Sequence, residues 1–119
     1  MTAESSAAHE VVLVLSTVPP DDRGAAMARA LVEERLAACV NLVPGLRSIY
    51  RWQGQVCDDA EALAIIKTTR DRLPALLHRL PALHPYELPE AVAVPLVGGH
   101  LPYLAWVMAE TAVDEETEA

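Results

Sequence analysis

The chain has 119 residues, 52% hydrophobic and 22% charged, with nine Lys and Arg against seventeen Asp and Glu. That length fits one domain, and the composition supports a packed core rather than disorder. A formal charge of -8 lacks the cationic surplus that grips a phosphate backbone, which excludes nucleic acid as the main partner.

Met1 to Ser6 shows no basic patch ahead of an apolar stretch, so no export signal is read there and the cytoplasm is the expected location. Cys39 and Cys57 are then expected as reduced thiols. The longest aliphatic run, Val11 to Leu15, is far below the ~20 apolar residues of a membrane span. Glu10 to Thr17 is β-branched and apolar on both faces, as in a strand covered on both sides. Pro19-Pro20 stops it, and Asp21 or Asp22 can cap a following helix. Ala28, Leu31, Val32 and Leu36 recur at helical spacing, and that helix is expected to end near Ala38.

A second strand runs from Cys39 to Val43 and from Leu46 to Gln53, bent at Pro44-Gly45. Gly54-Gln55 reverses the chain, with a longish tip expected around Cys57, Asp58 and Asp59 before a third strand over Glu61 to Thr68. Leu73, Leu76, Leu77 and Leu80 make a second amphipathic helix. Pro74 fits its first turn, and Pro81 should end or kink it. Ala91 to Val97 reads as a fourth strand, and Pro95 assigns it to an edge. After Gly98-Gly99, Leu101 to Ala109 form a terminal helix. The expected organisation is a flexible tail at 1–9, one domain at 10–110 and an acidic tail at 111–119, where Asp114, Glu115, Glu116 and Glu118 fall.

The order βαββαβ plus a helix is the ferredoxin-like α+β arrangement, an antiparallel sheet with both main helices on one face. The other face is left bare, although Ile49, Leu63, Ile65, Ile66, Val92 and Val94 add more apolar surface than one helical layer covers. Exposed apolar area costs about 25 cal/mol per Å², so further copies of the chain are the expected cover.

Chemistry-bearing residues are few. No nucleophile elbow, phosphate loop or zinc-protease motif occurs, which argues against an enzyme. Tyr50 and Trp52 are two apart on a strand and share a face. Glu61, Leu63, Ile65 and Lys67 share a face likewise, and Lys67, the only lysine, reads as a snorkelling side chain or as the cation of a pocket. Between Leu83 and Glu90, Pro85 and Pro89 forbid a helix and impose a stiff loop. His84 and Glu90 offer donors that suit Zn²⁺ or Cu²⁺, but two ligands fall short of a tight site. Taken alone, His84 reads as a loop histidine bonded to a backbone group.

The stretches Glu34-Arg35-Leu36-Ala37-Ala38-Cys39-Val40-Asn41, Ser48-Ile49-Tyr50-Arg51-Trp52-Gln53-Gly54, Ile66-Lys67-Thr68, His84-Pro85-Tyr86-Glu87-Leu88-Pro89-Glu90 and Tyr103-Leu104-Ala105-Trp106 together resemble the CutA divalent-cation tolerance family. The resemblance runs from Val11 to Val107. It implies a ferredoxin-like fold, a homotrimer, kinship with PII signalling proteins, and a non-enzymatic role in binding and tolerating copper or another divalent cation. It places metal-associated ligands at His84 and Glu90. A cysteine that some members carry at the end of the first strand is here Ser16, whose hydroxyl is a poor ligand for soft Cu(I). It also sets Tyr50, Trp52, Glu61, Lys67 and Tyr86 around an inter-subunit cleft. The PII analogy makes that cleft a sensor site for a small anionic metabolite.

Overall fold

A computed structural model describes residues 10–113; the tail at 1–9 and the acidic stretch at 114–119 lie outside the described residues. The elements are β1 (Val11–Val18), α1 (Asp22–Glu33), β2 (Cys39–Trp52), β3 (Gln55–Thr69), α2 (Leu73–Leu83), β4 (Val92–Pro95) and α3 (Leu101–Thr111). All strand pairs are antiparallel, in the order β2-β3-β1-β4. This is the ferredoxin-like α+β sheet, with the proline-bearing β4 at an edge as expected.

Strand alternation sorts side chains onto two faces. Val14, Val18, Ala62, Ala64 and Ile66 pack against Met27 and Leu31 of α1 and Leu76 and Leu80 of α2, forming the main core. Asp21 caps α1 by accepting the Arg23 amide at 3.0 Å. The helix ends at Glu33, earlier than Ala38. Arg35 turns left-handed (φ 59) there, and the amides of Leu36 and Arg35 return to the carbonyls of Leu31 and Val32. Those paired bonds close the helix in a Schellman turn, at a position where glycine is commoner.

Three further expectations change. The opposite sheet face is not wholly bare: Leu104 and Val107 of α3 cover Val11 and Ala38 at one end. The hairpin has no long tip, because Trp52 pairs with Gln55 and only Gln53-Gly54 make the turn. Both turn residues have positive φ (48 and 80), the pattern of a two-residue loop that matches strand twist. Cys57, Asp58 and Asp59 are therefore strand residues. Finally, α2 runs through Pro81 to Leu83, since a missing donor so near the end disturbs little beyond the final turn.

One feature positions the site. β1 stops pairing with β3 at Val18↔Ala62, whereas β2 and β3 remain paired from Leu46↔Glu61 out to Trp52↔Gln55, beyond a bulge between Val43 and Leu46. The hairpin thus extends past the four-stranded sheet as a two-stranded arm.

Candidate functional site

At the base of that arm, four segments meet. The end of β1 contributes Thr17, followed by Pro19 and Pro20, and Arg23 comes from α1. The arm contributes Ser48, Tyr50, Trp52, Asp59 and Glu61, and the stiff loop after α2 contributes Pro85 to Leu88 and Glu90. Together they line a cleft of about 780 Å³. Register explains the arm's share: Ser48 lies opposite Asp59 and Leu46 opposite Glu61, so alternation sends Ser48, Tyr50, Trp52, Asp59 and Glu61 to one face.

Tyr86 forms the inner wall. Its hydroxyl donates to Glu61 Oε2 at 2.7 Å, and Glu61 is itself only 8% exposed. Burial first, and then the Glu61 hydrogen bond, raise the Tyr86 pKa well above the ordinary phenol value. Tyr50 donates to Asp59 Oδ2, and that bond is the main reason its pKa is pushed up to about 12. Both phenols therefore stay protonated donors at neutral pH.

His84 stands behind this wall and does not line the cleft. It caps α2, its amide donating to Leu80 O at 2.9 Å. Its Nδ1 accepts the Tyr86 amide at 3.1 Å, and its Nε2 lies 2.9 Å from Thr17 O. An amide can only donate and a carbonyl only accept, so the contacts assign the neutral Nε2–H tautomer. Burial lowers the His84 pKa, against opposing pulls from the Thr17 carbonyl and the Glu61 charge. The plain expectation for an isolated loop histidine is the arrangement found.

As arranged, His84 and Ser16 offer no ready ligand to copper or another divalent ion. Both His84 ring nitrogens already serve the main chain. Ser16 Oγ is fully buried and makes no hydrogen bond among the described residues. No three His, Cys, Asp or Glu side chains among them converge as a metal site. The structure brings Tyr50, Trp52, Glu61, Tyr86 and Glu90 together, but Lys67 is elsewhere. It pairs with Leu13 and Cys39 toward the other end of β3, its Nζ 5.4 Å from the centre of the Tyr103 ring. Asp59, Arg23 and Leu88 are cleft residues the sequence reading missed. Continuing the alternation back from Glu61 would have found Asp59, had the tip been drawn shorter.

A ferredoxin-like sheet whose hairpin base and proline-stiffened loop enclose a carboxylate-and-aromatic cleft defines a small α+β protein of the kind found among its relatives. Residues 12–110 match the family model described as CutA1 divalent ion tolerance protein. The divalent-cation tolerance protein CutA of Thermus thermophilus is 55% identical over 103 residues, covering 87% of this chain and 98% of that one. A chloroplastic CutA 1 of Oryza sativa is 46% identical over 84% of this chain, which spans only 56% of that longer protein. Among solved structures, CutA1 from Oryza sativa superposes with a TM-score of 0.84 at 42% identity, covering 91% and 99% of the two chains. The PII-like protein CutA from Nostoc gives 0.79 at 39% identity, covering 87% and 99%. The chain belongs to the CutA1 divalent ion tolerance family.

Proposed function

We propose that the chain is a non-enzymatic binding module that works as a homotrimer and holds a small ligand in the cleft beside Tyr86. The observation that carries this reading is the double anchoring of Tyr86, by its amide to His84 and by its hydroxyl to Glu61. That anchoring holds one wall of a concave, partly aromatic space in place without a ligand, as preformed binding sites require. Among the described residues the one imidazole near the cleft, that of His84, is committed to the backbone, which leaves none of them as a general base of that kind beside a nucleophile.

Assembly is supported by what the protomer leaves uncovered. Val92 and Val94 of β4 lie beside Leu15 and Leu13 on the face that α3 only partly covers, and they remain 49% and 39% exposed. Ile49 and Val56 on the arm are 66% and 67% exposed. A two-stranded ribbon is marginal in water by itself, and exposed apolar surface of this kind supports an interface on both the edge strand and the arm.

The reading predicts that a thermal-shift screen of small metabolites, charged and neutral, contains compounds that raise the melting temperature. Those shifts should shrink in Tyr86→Phe and Trp52→Leu. A screen without a single stabilising compound would overturn it. Calorimetry with Cu²⁺ should give the same isotherm for wild type and His84→Ala; a loss of binding in that variant would restore the histidine as a ligand.

A further inference from the structure

We draw no further inference here: the strongest candidate, the apolar groove that Val32 of α1 forms with Val40 and Leu42 of β2, is an uncovered surface, and nothing in the structure shows what covers it.

Discussion

The Tyr86 hydroxyl and Glu61 Oε2, 2.7 Å apart, join the loop after α2 to β3 across 25 residues of sequence. A carboxylate this buried needs a donor, and the hydroxyl of the half-buried Tyr86 supplies one. The amide of Tyr86 is fixed in turn by His84, whose ring reaches the end of β1 through Thr17. Three separate chain segments are thereby tied together at the cleft wall.

Tyr86→Phe removes the donor and leaves the carboxylate buried. Chemical denaturation should show a loss of about 1–3 kcal/mol, the usual cost of stranding such a group. In a double-mutant cycle with Glu61→Gln the two losses should fall short of adding, because the residues share one bond. Strict additivity would mean that the contact contributes nothing.

Acid should weaken the fold through His84. Its folded pKa lies below the ordinary 6.5, so between the two values the unfolded chain binds more protons than the folded one. The stability this group contributes is complete above about pH 6.5 and declines as pH falls toward the folded value. Protonation would also convert Nδ1 from acceptor to donor against the Tyr86 amide. Melting temperature measured from pH 7.5 to 5 should therefore fall more steeply for wild type than for His84→Gln. Parallel curves would contradict the assignment.

Ser16 carries a hydroxyl that is buried and has no hydrogen-bond partner among the described residues. Removing an unsatisfied polar atom relieves its desolvation cost, so Ser16→Ala should be neutral or stabilising by up to about 1 kcal/mol. The urea midpoint should stay or rise with an unchanged slope. A clear drop would show that the hydroxyl has a partner in solution.

The Tyr50–Asp59 bond is visible in alkaline titration. With Tyr50 pushed up to about 12 from 10, the folded chain holds that proton longer than the unfolded one. Its contribution to stability is present below pH 10 and is lost as pH rises toward about 12. Asp59→Asn should bring the Tyr50 midpoint down, read as phenolate absorbance at lower pH. An unmoved midpoint would remove Asp59 as the cause.

The fold was largely legible, because periodicity and punctuation are local. The Pro44-Gly45 bend, the proline-marked edge and the starts of both amphipathic helices lie where residue spacing placed them. The errors share a physical origin. Asp58 and Asp59 read as loop because they are poor strand formers, but Asp58 is bridged by Arg47 and Asp59 by Tyr50 across the hairpin. Such pairing cannot be seen before the register is known. Arg35 hid the early end of α1 for a similar reason, by occupying a left-handed position without being glycine. In the cleft, the aromatic pair and Glu61 could be placed by alternation along their strands, whereas Arg23 and Leu88 arrive from segments that only the tertiary fold brings near.

Sedimentation equilibrium of the full chain at micromolar concentration tests the account most directly. The proposed homotrimer would shield the uncovered face beside β4 and the projecting arm, so on that proposal the mass should be three times that of one chain and independent of dilution through that range. A mass equal to a single chain would mean that this apolar surface is stable in water unaided, and the assembly proposed around the cleft would be wrong.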